Sequence, residues 1–139
     1  METDDEMNPD LAKTILAQIR EEEIVAMSCD VVNIQSPTGE EGEMARYMRR
    51  TFEEAGLQVA WQEVEEGRAN VVGLWEGTAN GKSVMFNGHM DTSNTGRETY
   101  LTGRGYKAKA IIEKGLIYGL GIYNMKGALV CYTQAVKAL

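Results

Sequence analysis

The spacing of apolar positions changes along the chain, and each change marks an element. From Asn8 to about Ile34 they recur at helical spacing: Leu11, Ile15 and Ile19, then Ile24, Met27 and Val31. Asn8 suits an N-cap, and Pro9 suits the first helical position, where a missing N–H costs nothing. This run predicts a helix in two pieces, broken by Pro37 and Gly39 in "QSPTGEEGE". A second stripe of Met44, Tyr47, Met48 and Phe52 predicts another helix, with Thr38 as its cap and Gly56 just past its end. The period then falls to two. Leu57, Val59 and Trp61 of "LQVAWQEV" share one strand face, and "ANVVGLWEG" and "KSVMFNG" predict two more strands. Between those two lies "TANG", whose Asn80-Gly81 is a tight-hairpin signal.

Residues 92–115 predict a long polar loop containing Gly96, Gly103 and Gly105. "GLIYGLGIYNMKGALVCYTQAVKAL" predicts a short strand, a glycine-rich turn and a helix. Met125, Leu129, Tyr132, Val136 and Leu139 fall on one side of that helix, a face that wants a sheet to pack on. The pattern is still running at the last residue, so residues 1–139 read as one partial domain cut at its C-terminal end. The expected class is α/β, a mixed sheet flanked by helices.

Composition narrows the partners. With 43% hydrophobic and 25% charged residues, the chain is an ordinary globular sequence. A net charge of -7 lacks the basic footprint that nucleic acid or an anionic membrane requires, so neither is expected. "METDDEMNPD" has no basic and apolar leader pattern, and no apolar stretch approaches membrane-spanning length. Cys29 and Cys131 are far apart without a C-x-x-C pattern, which favours two buried thiols in a cytoplasmic protein. Trp61 and Trp75 read as core or hairpin-face aromatics. Arg97, Arg104, Lys107 and Lys109 could meet an anionic substrate or simply face solvent, and the loop glycines form no phosphate-binding motif.

The candidate chemistry is in "FNGHMDTSNTG", residues 86–96, around His89, the chain's single histidine. In an extended segment His89 and Asp91 point the same way. A carboxylate so placed can hold an imidazole and fix its tautomer, as is common around zinc. A polar turn after an edge strand, with the pair merely hydrogen-bonded, accounts for these residues as well.

Three ordered motifs, "DVVNIQSPTGEE", "MFNGHMDT" and "YGLGIYNMKGAL", together resemble the dinuclear zinc amidohydrolase and exopeptidase family. That family includes acetylornithine deacetylase, succinyl-diaminopimelate desuccinylase and glutamate-type carboxypeptidases. The resemblance runs from about residue 25 to the end. It implies the N-terminal part of a zinc-peptidase-like catalytic domain that holds two zinc ions per site. His89 would be a zinc ligand, and Asp91 the catalytic-site carboxylate orienting it. Gly119, Gly121 and Gly127 would be turn and close-packing glycines, and Met125 and Lys126 would set packing and the helix start. Asn124 stands where the family pattern has the aspartate bridging both metals. A neutral amide oxygen in that place removes one negative charge from the site, which implies weakened or altered metal binding.

The resemblance also implies an adjacent Glu-Glu pair, downstream of the last helix, that supplies the base and a ligand. Here the acidic runs at Glu21–Glu23, Glu40-Glu41, Glu53-Glu54 and Glu65-Glu66 all precede His89, and they read as solvated faces or helix-start charges. The expected function is metal-dependent hydrolysis of an amide bond in an N-acyl amino acid or small peptide, with the isolated chain inactive for want of its base. Two alternatives stand beside it. One is a noncatalytic binding module or pseudoenzyme of the same fold. The other is an interaction protein docking through its C-terminal helix. Homo-oligomerisation is left open.

Overall fold

The structure, a computed structural model, describes residues 8–78 and 81–139. Three helices come first: α1 (Pro9–Leu16), α2 (Glu21–Asn33) and α3 (Gly42–Glu54). Asn8 caps α1 as expected, its Oδ1 accepting from the backbone N–H of Asp10 and Leu11. α3 starts later than the sequence suggests, with Glu41 and not Thr38 at its N-cap. Its far end is a Schellman turn. Gly56 adopts φ +81°, the Leu57 N–H returns to the Phe52 carbonyl, and the Gly56 N–H returns to that of Glu53.

The strands β1 (Gln58–Glu65) and β2 (Arg68–Leu74) form an antiparallel ribbon turning at Glu66-Gly67. The α/β class holds, but the sheet is not mixed: the ribbons are antiparallel, and the second pairs β3 (Ile111–Glu113) with β4 (Leu116–Tyr118). Part of the expected long loop therefore pairs, with a single 3-10 turn at Arg104–Tyr106 beside it. "KSVMFNG" forms no strand. A strand requires a neighbour for its backbone, and among the described residues this segment has none, leaving Val84 78% and Met85 85% exposed. The Asn80 half of the expected hairpin lies outside the described residues.

The last helix, α4 (Gly127–Lys137), follows an irregular turn over Ile122–Lys126. It buries Leu129, Val130, Thr133 and Gln134 and packs on α2, so its partner is a helix and not the expected sheet. Leu139, expected on the buried face, is exposed, while Tyr132 stacks on Phe86 with centroids 4.9 Å apart. The core joins α2, α3 and α4 through Met27, Val31, Met44, Met48, Leu129 and Val130. The two cysteines are free. Cys29 is half-buried and Cys131 exposed, so the reading of two buried thiols fails for the latter.

Glu41 is not the solvated charge its sequence context suggested. It is buried and accepts two hydrogen bonds from Arg68, at 2.7 Å and 3.0 Å, and one from the Gly39 N–H. This fork pins the start of α3 to the β1–β2 turn. Gly42 faces that turn so closely that an added Cβ would sit 2.3 Å from the Gly67 carbonyl oxygen.

Candidate functional site

Two stretches far apart in sequence are stitched together to make the site. The Thr92 N–H donates to the Ser36 carbonyl (2.8 Å), the Thr38 N–H to the Thr92 carbonyl (3.1 Å), and the Ser36 hydroxyl to the Met90 carbonyl (2.8 Å). Ser36 and Thr92 are both buried, so these bonds are shielded from water. The "SPTG" turn and the "HMDT" segment thus form one rigid corner, joined by a parallel bridge between Pro37 and Thr92.

The third piece is the glycine bend before α4. Gly121 adopts φ +81°, and an added Cβ would come within 2.7 Å of the Thr92 methyl, so both its conformation and its packing require glycine. Gly119 is required by packing, because its Cβ position lies 2.2 Å from Val32 Cγ1. This bend brings Asn124 to the histidine.

At the junction, His89 Nδ1 lies 2.9 Å from Asp91 Oδ1 and 3.1 Å from the Asp91 carbonyl oxygen. The other carboxylate oxygen, Oδ2, accepts from the Thr38 hydroxyl at 2.5 Å. Both acidic oxygens are therefore occupied, which holds the carboxylate and, through it, the ring. On the other side, His89 Nε2 is 3.1 Å from the Asn124 side-chain oxygen. The His89 backbone N–H donates to the Met125 sulfur at 3.3 Å. Three residues singled out from sequence, His89, Asp91 and Asn124, meet in one place. His89 is 46% exposed.

Lys126 does more than set packing. Its side chain is fully buried, and its ammonium donates to the carbonyls of Val31 (2.8 Å) and Ile34 (2.6 Å). These carbonyls lie at the C-terminal end of α2, where helical partners run out and a cation is favoured. Burial lowers the Lys126 pKa to about 8. Thr38, Met125 and Lys126 are the site-building residues whose roles local pattern did not reveal. Thr38 had a cue in the "SPTG" turn, and Met125 and Lys126 in the third motif, but nothing local indicates that Thr38 has a partner 53 residues away.

The remaining candidates lie elsewhere. Arg104 is paired with Glu113 and sits over the Tyr118 ring, and the Lys107 ammonium reaches the Glu98 carbonyl. Glu98 closes its own turn: the Thr95 and Gly96 N–H groups and the Thr95 hydroxyl hold its carboxyl down to about 2. The acidic runs are partnered in part, with Glu23 on Lys137, Glu53 on Arg49 and Glu65 on Arg68.

Two zinc ions do not fit the donors present. Among the described residues no group of three or more His, Cys, Asp or Glu side chains could hold a metal. The corner offers one imidazole nitrogen and one neutral amide, with Asp91 already engaged on both oxygens. A catalytic zinc takes three protein ligands plus water.

No family model matches the chain. Individual proteins do. It is 30% identical to succinyl-diaminopimelate desuccinylase 2 of Ruegeria sp. (strain TM1040), over 80% of this chain and 27% of that protein. A probable succinyl-diaminopimelate desuccinylase of Staphylococcus aureus (strain Mu50) is also 30% identical, over 79% of this chain and 26% of its own length. A putative [LysW]-lysine/[LysW]-ornithine hydrolase of Pyrococcus abyssi is 30% identical over 81% of the chain and 28% of its own length. The chain is thus similar to desuccinylases and to a lysine/ornithine hydrolase, in line with the three motifs. It spans about a quarter of the length of those relatives.

Proposed function

We propose that the chain contributes part of the centre of a hydrolase that cleaves an amide bond in an N-acyl amino acid or small peptide, a deacylase or exopeptidase type of reaction. The observation carrying this reading is the convergence of His89, Asp91 and Asn124, with Asp91 fixed by Thr38 on one side and fixing the ring on the other. The relatives, all named as desuccinylases or hydrolases, support the reaction class.

Within that reading each residue has a bounded task. Nδ1–H donates a hydrogen bond to Asp91, which sets the ring's orientation and leaves the lone pair on Nε2. His89 would offer Nε2 as a ligand for one divalent cation. The Met125 sulfur and the Ser36–Thr92 bonds keep that ring in place. Among the described residues no glutamate is hydrogen-bonded to His89, Asp91 or Asn124. Glu41 is neutralised by Arg68, and Glu98 is closed on its own turn. The isolated chain is therefore expected to be inactive. Its localisation is proposed as cytoplasmic; among the described residues no helix is long and apolar enough to cross a membrane.

The donor shortage specifically favours a second reading, a noncatalytic module of the same fold that binds without turnover. Calorimetric titration with Zn2+ at neutral pH, comparing the chain with His89→Ala, tests the ligand assignment. Uptake by the chain and not by the variant is expected, and equal uptake would remove His89 from the site. N-acetyl and N-succinyl amino acids should go unhydrolysed by the isolated chain. Robust turnover would show that a base is present after all.

A further inference from the structure

A groove of about 260 Å3 lies where α2, α3 and the end of α4 meet, and none of the residues of the corner around His89 lines it. Its ionised side chains are three carboxylates, Glu23, Asp30 and Glu54, against one ammonium, Lys137. Glu23 is matched: Lys137 donates to it at 2.5 Å, and Arg20 stands 3.8 Å away. The other two are not. Asp30 accepts from the Tyr47 hydroxyl at 3.2 Å through Oδ2, and its Oδ1 has no partner among the described residues. Burial, with Asp30 and then Glu54 nearby, pushes that hydroxyl up to about 12, so both carboxylates lie near the same phenol.

Gln134 of α4 opens into the same groove. It is only 6% exposed, and its side-chain amide has no hydrogen-bond partner among the described residues. No fully buried side-chain nitrogen or oxygen among those residues lacks a partner, so the little surface that Gln134 keeps belongs to its amide. An amide so enclosed gains from any ligand that can bond to it.

We propose that this groove binds a primary ammonium carried on an aliphatic stem. An ammonium has three N–H donors and no acceptor. Asp30 Oδ1, the Glu54 carboxylate and the Gln134 side-chain oxygen are three acceptors lining one groove. Met27, buried, and the small Ala26 and Ala55 give the stem an apolar wall. A carboxylate or phosphate ligand would meet like charges there, and the net charge of -7 disfavours it further. The site goes beyond the hydrolase reading and uses none of its residues.

The probe is n-pentylamine, cationic at neutral pH, titrated into the full chain beside pentan-1-ol, which has the same stem and no charge. Nitrogen-15 correlation spectra read the backbone and the glutamine side-chain amides, and Gln134→Leu identifies the Gln134 resonance. The amine is expected to shift that resonance and the Thr51 and Ala55 amides saturably, and the alcohol is not. Asp30 and Glu54 are exposed, so Asp30→Asn and Glu54→Gln leave the core intact. Each should weaken binding about two- to fivefold, the range for one exposed charge pair. Glu76→Gln removes the same charge at an exposed position outside the groove and should bind like wild type. Absence of shifts at the groove, or equal shifts from the alcohol, would overturn the site. So would an equal loss in Glu76→Gln, which would reduce binding to the overall charge of the chain.

Discussion

Glu41 shows how much one residue's environment decides. The Arg68 guanidinium beside it, with help from the Gly39 N–H, holds its carboxyl down to about 2 against an ordinary 4.5, although burial pushes the other way. A carboxylate with a lowered folded pKa stabilises the fold above its unfolded value. That contribution fades as pH falls from about 4.5 to about 2, where the folded form also takes up its proton. Glu41→Gln is expected to lose about 1–3 kcal/mol in urea unfolding at pH 7, the range for removing one partner of a buried charged hydrogen bond. The gap to wild type should close across that acid window. A gap independent of pH between 7 and 2 would assign Glu41 a packing role only. Sequence read Glu41 as a helix-start charge, which is half right: it does sit at the cap of α3. Its burial depends on Arg68, 27 residues on, and charge runs do not encode partners at that distance. For His89 and Asp91 the i, i+2 spacing places the two side chains on one side, while their roles came only from the resemblance.

At the scale of elements, helices were easier to read than strands. α1, α2 and α3 carry their own periodicity, breaks and terminal residues, and these signals hold whatever packs on them. "KSVMFNG" has a strand composition but no ladder partner among the described residues, and composition cannot supply one. The face of α4 was misjudged for a related reason: its core residues include Thr133 and Gln134, which a hydrophobic stripe passes over. Thr133 is buried because its hydroxyl bonds back to the Leu129 carbonyl. α1 is the opposite case, well capped yet with no buried residue. A helix of eight residues is marginal without packing. Its amides are expected to exchange with deuterium near the unprotected rate, while those of Val31 and Val130 exchange only on global opening. Slow exchange across Ala12–Leu16 would mean that α1 packs more firmly than its exposure shows.

At the scale of the whole molecule, the described core is small and joins α2, α3 and α4. Among the described residues several large apolar side chains lie at the surface. Leu74, Trp75, Val84 and Met85 are each at least half exposed. Against this thin core, one contact spans nearly the whole fold. The Lys126 ammonium reaches back 95 residues to the Val31 carbonyl and 92 to that of Ile34. Closing a loop of that length has an entropic cost that no local interaction offsets. The bond therefore belongs to the last stage of assembly, after α2 and α3 have found each other. Lys126→Met should speed unfolding and leave the refolding rate nearly untouched in stopped-flow chevrons, a φ-value near zero. If refolding slows in proportion to the lost stability, the tether is part of the nucleus, and the corner around His89 is assembled early.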